Sequence, residues 1–365
     1  MLVEFSIANK KFFSTQLLHW NRLKNRRAMP WKGELDPYKI WVSEIILQQT
    51  RVQQGLVYYE RFIKAYPDVK SLALAPEQAV FKLWEGLGYY SRCRNLIATA
   101  RFIHEKLNNK FPEEYNDILS LKGVGSYTAS AIASFAFNKP YAVLDGNVFR
   151  VLSRFFAITI PINTTEGKKY YGHRAQLLLN KKNPAEYNQA IMDFGAVICK
   201  PAQPLCGQCP LQKKCAAYLS GMVSVLPVNE KVTRQRERFF NYLVVEYQNK
   251  FYVSQRTGRD IWQSLFQFIL IETDSLLDKK EFLKQPQFLT TIETSQIVDI
   301  LVSESYSQKL THQLIRGRFY RIKINAPLVN AKGYKLVSEK QLSQLAFPKF
   351  ITSYLEDKNV SLNLF

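Results

Sequence analysis

The sequence predicts two structural classes in one chain: a mostly α-helical region over about residues 15–220, followed by a smaller α+β domain. Three observations predict this. The chain has 365 residues, enough for two domains at roughly 150 residues each. Apolar residues recur at helical spacing through the first part. Near residues 225–238 the character changes, because VLPVNEKVTRQRER carries four basic residues and a proline but no apolar periodicity, and beyond it the pattern becomes strand-like.

In chain order, helical spacing of apolar residues marks 38–51, 56–65, 76–87, 93–107, 127–137 and 184–198. Short polar or glycine- and proline-containing breaks at 28–37, 66–68, 121–125 and 181–183 separate these segments. After the basic linker, FFNYLVVEYQNKFYVSQR reads as two strands around a Gln-Asn-Lys turn. Segments 319–324 and 334–337 read as further strands. No internal repeat is found.

Hydrophobic residues make up 47% of the chain and charged residues 22%, the composition of a folded globular protein, which excludes disordered and collagen-like classes. No run approaches the roughly 18 apolar residues of a membrane span, and the first residues lack the apolar core of an export signal. A cytoplasmic protein, nucleoid-associated and of bacterial type, is therefore expected, with no membrane partner. Lys and Arg number 50 against 30 Asp and Glu, a net +20. The basic residues are interleaved with apolar ones, so a folded surface displays the charge, and a polyanion such as nucleic acid is the favoured partner.

Four of the five cysteines, Cys199, Cys206, Cys209 and Cys215, fall in one short stretch, while Cys93 stands apart. A C-x2-C pair between more distant partners, in a chain with no export signal, is a ligand pattern for zinc or an iron–sulfur cluster and not a disulfide framework. Leu121-Lys122-Gly123-Val124-Gly125 lies between two helical patterns, and Gly123 and Gly125 permit a tight turn whose amides can hold a phosphate. Two acids stand on apolar backgrounds: Glu44 in WVSEIILQQT and Asp145 in AVLDGNVFR. A buried, protonated acid that assists a leaving group, together with an ionised acid that stabilises a positive sugar, suits cleavage of an N-glycosidic bond.

These runs, PYKIWVSEIILQQTRV, LWEGLGYYSRCRNL, LKGVGSYTA, VLDGNVFRV, MDFGAVIC and C-x6-C-x2-C-x5-C, together resemble the adenine DNA glycosylase (MutY) family. The resemblance implies a mostly α helix-hairpin-helix glycosylase domain over 1–225, with the cysteines 199–215 holding a 4Fe-4S cluster, a linker over 226–238, and a Nudix-like α+β domain over 239–365 that recognises 8-oxoguanine. It implies that Glu44 protonates adenine at N7, that Asp145 stabilises the oxocarbenium ion or forms a transient adduct with the sugar, that Tyr127 lies beside this centre, and that Asn147 orients the catalytic groups. The adenine pocket maps onto Arg27, Trp31, Leu47 and Gln189. Gln49, Leu87 and Tyr89 map onto residues that wedge into the duplex beside the lesion, and Thr50 onto a substrate-binding residue. Lys32 stands where Arg is common after Pro-Trp.

In the C-terminal part, GRDIWQSLFQFILIE resembles the family's W-x-G-L-[WYF]-[ED]-F-P segment, with Ser264, Gln267 and Ile269 in place of its glycine, acid and proline. Leu310-Thr311-His312 matches the family's [FL]-[ST]-H loop, which reads 8-oxoguanine. No Nudix hydrolase motif occurs, so nucleotide hydrolysis is not expected. The implied enzyme is a monomeric, monofunctional glycosylase that removes adenine opposite 8-oxoguanine or guanine in duplex DNA. Two rivals compete with it. An endonuclease III-like glycosylase/lyase is opposed by Tyr127, because lyase relatives carry an amine at that position for Schiff-base chemistry. A non-catalytic lesion binder is opposed by the two carboxylates.

Overall fold

The computed structural model describes residues 6–230 and 235–357; of the expected linker 226–238, residues 231–234 lie outside the described residues. The backbone divides into two compact units. Of the described residues, 6–74 and 95–230 form one, and 75–94 and 235–357 form the other. The segment 75–94, which falls inside the 1–225 expected for the catalytic domain, thus groups with the C-terminal unit.

The first unit is helical. The helices Pro37–Leu47, Val52–Ala65, Ser126–Phe135 and Pro184–Val197 occupy segments with predicted helical spacing. The first of them stops earlier than expected, because Gln49 turns into the left-handed region at φ +57 and Thr50 N bonds back to Leu47 O at 3.1 Å. Further helices, Ile7–Lys24, Tyr115–Ser120, Gly146–Phe156 and Thr165–Leu178, were not marked by periodicity. Two of these supply much of the core: Phe13, Leu17 and Trp20 of Ile7–Lys24 join Val151, Leu152 and Phe155 of Gly146–Phe156, together with Ile191 and Phe194. Burial of each such large side chain contributes roughly 1.5–3 kcal/mol.

Helices Tyr115–Ser120 and Ser126–Phe135 are joined by the predicted break 121–125, a helix–hairpin–helix. Gly123 has φ +80, and a Cβ there would lie 2.6 Å from that of Asn95, so both conformation and space demand glycine.

The second unit is built on a mixed sheet. Its strands are β1 (Arg236–Tyr247), β2 (Lys250–Gln255), β3 (Phe266–Gln267), β4 (Ile269–Thr273), β5 (Ile297–Val302), β6 (Tyr306–Lys309), β7 (Gln313–Ile324) and β8 (Lys335–Ser338). The order is β3-β2-β1-β7-β5, with β4 on β1, β6 on β7 and β8 on β2. The predicted hairpin is β1–β2: Gln248 and Asn249 both have positive φ, at 48 and 59, as a two-residue primed turn requires. At its centre β1 runs parallel to β7, with Tyr242 opposite Phe319 and their rings stacked at 5.4 Å. Helices such as Lys279–Leu283 and Lys349–Leu355 cover the sheet with Phe282 and Phe350 buried, which makes the unit α+β. Among the described residues no helix is long and apolar enough to cross a membrane.

Candidate active site

Glu44 sits on the helix Pro37–Leu47, which Asp36 caps by accepting from Tyr38 N at 2.9 Å. Tyr38 and residues 40–46 are all buried, so this helix is enclosed on every side and a charge on it is costly. Glu44 is 6% exposed. Burial raises its pKa to about 7; a hydrogen bond with the Tyr127 hydroxyl opposes the shift and the nearby Asp145 reinforces it. Tyr127 comes from the first turn of Ser126–Phe135, directly after the hairpin.

Asp145 is the N-cap of the helix Gly146–Phe156. Its Oδ1 accepts from Val148 N at 2.7 Å and its Oδ2 from Asn147 Nδ2 at 2.7 Å. Burial pushes its carboxyl up, while the bonds from Val148 and Asn147 and the charge of Arg150 pull it back. The capping role does not compete with a chemical one, since a helix N-terminus favours the ionised form. The two acids therefore differ: Glu44 is held by little that favours its charge, and Asp145 is gripped by donors.

Both acids line one cavity of about 590 Å³ in the helical unit, together with Tyr127, Asn147, Arg27, Trp31, Leu47, Gln49, Thr50 and Gln189. Trp31 is nearly buried and stands edge-on to Tyr59. The expected catalytic group and adenine pocket thus converge. Gly123 and Gly125 remain in the exposed hairpin, outside this cavity.

Several residues that hold the site were missed from sequence. Asp193 is fully buried and accepts from Arg27 Nη1 at 2.8 Å, Gln189 Nε2 at 3.0 Å, Asn25 Nδ2 at 2.8 Å and Lys32 Nζ at 3.0 Å. Lys32 also donates to Arg27 O at 3.1 Å. Arg150 donates to Asn147 Oδ1 at 2.8 Å, Gly195 O at 2.7 Å and Cys199 O at 2.7 Å. Gly195 is required because a Cβ there would meet that of Asn147 at 2.6 Å. The only signal for Asp193, Gly195 and Arg150 was their place inside the motif runs MDFGAVIC and VLDGNVFRV; Lys32 stood out only as a departure after Pro-Trp, and Asn25 gave no signal.

The cysteines 199, 206, 209 and 215 are all half-buried and unbridged. Cys209 lies within electrostatic reach of the other three, and burial pushes its thiol up to about 12. Arg154 Nη1 approaches Cys199 Sγ at 3.5 Å, and the same guanidinium donates to the carbonyls of Lys200 and Pro201. Among the described residues no three His, Cys, Asp or Glu side chains converge as ligands of a single ion. Cys93 is fully buried.

In the sheet unit, Leu87 and Tyr89 line a second cavity of about 970 Å³ with Leu310, Thr311 and His312. The last three form the turn between β6 and β7, where Leu310 N bonds Gln313 O at 2.8 Å. The Tyr89 hydroxyl is 3.1 Å from Thr311 Oγ1, and Tyr89 itself is exposed at φ +48. Of the three residues expected to enter the duplex, Gln49 thus lines the first cavity and Leu87 and Tyr89 the second.

Residues 42–169 match the HhH-GPD superfamily base excision DNA repair protein family. The adenine DNA glycosylase of Buchnera aphidicola subsp. Schizaphis graminum is 33% identical over 323 residues, 85% of this chain and 93% of that protein. That of Mus musculus is 40% identical over 233 residues, 60% of this chain and 45% of that protein. Among solved structures, a thermostable thymine-DNA glycosylase has a TM-score of 0.54 at 29% identity, covering 58% of this chain and 98% of that one. Endonuclease III in a non-covalent DNA complex shares the fold, with a TM-score of 0.52 at 18% identity over 60% of this chain and 99% of that one. A helical unit with a hairpin, two acids in one cavity and a relative matched along 93% of its length agree: the chain belongs to the adenine DNA glycosylase family, helix-hairpin-helix enzymes that remove adenine from DNA in base excision repair.

Proposed function

We propose that the 590 Å³ cavity receives an adenine turned out of a duplex and that Glu44 and Asp145 cleave its N-glycosidic bond. The observation that carries this reading is the pairing, in one cavity, of an acid whose pKa burial raises to about 7 with an acid anchored by backbone and amide donors. Glu44 in its protonated form donates to adenine N7, so the electron pair of the breaking C1′–N9 bond is accepted by a protonated base, which leaves as neutral adenine. Asp145 supplies the counter-charge to the oxocarbenium sugar. Water then bonds to C1′, and the Glu44 carboxylate takes its proton. Tyr127 and Asn147 hold the two carboxyls, and Trp31, Leu47, Arg27 and Gln189 grip the base.

The enzyme acts by hydrolysis alone. Among the described residues lining the cavity the amine is Lys32, and its nitrogen is engaged by Asp193 and by the Arg27 carbonyl, so it is not available as a nucleophile. The exposed cavity of the sheet unit, with Thr311 and His312 on a turn beside Tyr89, reads the opposite base, 8-oxoguanine or guanine. In this reading residues 1–225 carry the chemistry, 226–238 link, and 239–365 recognise the lesion in a monomeric enzyme.

Cys199, Cys206, Cys209 and Cys215 would hold a 4Fe-4S cluster. Their donor set fits: four unbridged thiols in mutual electrostatic reach, with burial pushing those of Cys206, Cys209 and Cys215 upward, so that a cationic centre would compensate their thiolates. The cluster supplies local order to the basic loop that carries Lys200, Lys213 and Lys214. Purified protein is expected to release adenine from duplexes with adenine opposite 8-oxoguanine and opposite guanine, to give no borohydride-trapped adduct, and to contain about four irons per chain. A trapped adduct with strand cleavage of oxidised pyrimidines would establish the endonuclease III-like rival, and stoichiometric zinc would overturn the cluster.

A further inference from the structure

We infer that Asp193, which lies behind the cavity wall, sets the hydrogen-bonding polarity of the pocket and so makes it selective for a base with a 6-amino group; this rests on the assignment of the cavity to adenine. The Asp193 side chain is completely shielded from solvent. Its four acceptor sites meet four donors: Arg27 and Gln189 on Oδ1, Asn25 and Lys32 on Oδ2. Nothing is left over for a base. Asp193 is therefore a positioning residue.

Its effect on Gln189 is specific. The two residues stand four apart on the helix Pro184–Val197, on one face, where such side chains meet. An ionised carboxylate only accepts, so the amide of Gln189 must present its nitrogen, Nε2, to Asp193 at 3.0 Å. A flip would set Oε1 against a carboxylate oxygen. The atom that Gln189 keeps for the cavity it lines is thus Oε1, an acceptor. Neighbours fix the arrangement further. Asn25 Nδ2 is divided between Asp193 and Asn21 Oδ1 at 2.8 Å each, while Asn25 Oδ1 accepts from Arg27 N at 3.0 Å.

In a nucleoside, adenine has one hydrogen-bond donor, its 6-amino group. A locked acceptor in the pocket can recognise adenine only there. Hypoxanthine carries a carbonyl oxygen at the same position and would set two acceptors against each other. An amide free to rotate would accommodate both bases, and Asp193 removes that freedom.

The test is the ratio of single-turnover excision rates for adenine and for hypoxanthine, each opposite guanine. This ratio does not depend on the fraction of protein that is folded, so a poorly folding variant still answers. Asp193→Asn places a donor and an acceptor where two acceptors stood, lets the amide turn, and should lower the adenine preference about tenfold or more. Gln189→Ala should lower it similarly. Adding Gln189→Glu to Asp193→Asn should restore the preference, because a carboxylate at 189 accepts in either orientation; a merely structural role of Asp193 would show no such rescue. An unchanged ratio in Asp193→Asn, or no rescue by Gln189→Glu, would overturn the inference. An unchanged ratio in Gln189→Ala would overturn it as well, whereas full adenine excision by Glu44→Gln would mean that the cavity is not the adenine site, and the earlier assignment fails instead.

Discussion

The two cavities are built differently. In the helical unit, the candidate catalytic and base-gripping polar groups rest on second groups: Glu44 on Tyr127, Asp145 on Val148 N and Asn147, Asn147 on Arg150, Gln189 and Arg27 on Asp193. In the sheet unit, Thr311 and His312 are exposed on a strand turn, with the Tyr89 hydroxyl on Thr311. Bond cleavage depends on charge held in place before the reaction begins, whereas a contact to an opposite base gains from exposure. The difference teaches where sensitivity to substitution should concentrate.

The contrast breaks most visibly at the acids. Glu44→Gln keeps the shape but cannot supply the proton, and should cut excision roughly 10²–10⁴-fold with duplex binding retained. Asp145→Asn should be comparably severe, because it removes the counter-charge to the sugar. A loss below about tenfold in either variant would show that the wrong group has been assigned. Since burial raises Glu44 to about 7, the wild-type single-turnover rate should be level below that pH and fall as pH rises through it.

The same shift gives a stability prediction of opposite sign to the activity loss. The folded pKa lies above the ordinary carboxylate value, so neutral Glu44 fits the fold and its ionised form does not. Stability is complete below about pH 4.5 and is lost as pH rises toward 7. Glu44→Gln escapes that loss, and should unfold later than wild type at pH 8 by up to about 3 kcal/mol, with the gap closing near pH 4.5. Equal denaturation midpoints at pH 8 would mean that water or a cation reaches the carboxylate.

The proposed lesion reader, which is exposed, should behave otherwise. His312→Ala removes one group able to donate to a modified guanine and leaves nearly all the positive charge, so non-specific affinity should barely move. The preference for adenine opposite 8-oxoguanine over adenine opposite guanine should fall about five- to a hundredfold. An unchanged ratio would move lesion reading to another residue of the second cavity.

What could be read from sequence followed locality. Glu44 and Asp145 stood out because an acid on an apolar run is a local anomaly, and the β1–β2 hairpin because a short polar Gln-Asn-Lys break separates two strand-like runs. Asp193 gave no such signal: its partners Asn25, Arg27 and Lys32 are 161–168 positions away, and only the fold unites them. Helix Ile7–Lys24 escaped because Phe13, Leu17 and Trp20 bury a narrow stripe amid polar neighbours. Strand β7 proved longer than the predicted 319–324, since its pairing with β1 brings together residues 77 positions apart, beyond what period-two alternation reports. Of the departures from the family pattern, Gln267 keeps a contact suited to an acid, its Oε1 accepting from Arg256. Ile269 is buried in the sheet core and pairs with Leu243 on β1, a ladder position that a proline could not donate to.

The smallest effect concerns left-handed backbone in the two units. Gln49, at φ +57, lines the first cavity, so its strained conformation presents a side chain to the site. Ser264, at φ +74, lines neither cavity and stands where the family pattern has glycine. Its backbone is pinned, with N donating to Arg256 O at 2.7 Å and O accepting from Gln255 Nε2 at 3.0 Å. A left-handed residue with a Cβ costs roughly 1–2 kcal/mol, while the greater freedom of an unfolded glycine returns about 0.5–1 kcal/mol of that cost. Ser264→Gly should therefore stabilise the sheet unit by up to about 1 kcal/mol and raise its melting temperature by roughly 2–4 °C, with excision unchanged. Ser264→Ala, which keeps the Cβ, should leave the melting temperature where it is. Neighbouring Trp262 is also left-handed, at φ +61, but is 8% exposed and stands edge-on to Phe240 at 5.7 Å. There the packing of the ring outweighs the backbone cost, and Trp262→Gly should destabilise by several kcal/mol. A fall in melting temperature for Ser264→Gly would show that the serine side chain holds the turn, and that the sheet unit, like the helical one, places its left-handed residues for what their side chains do.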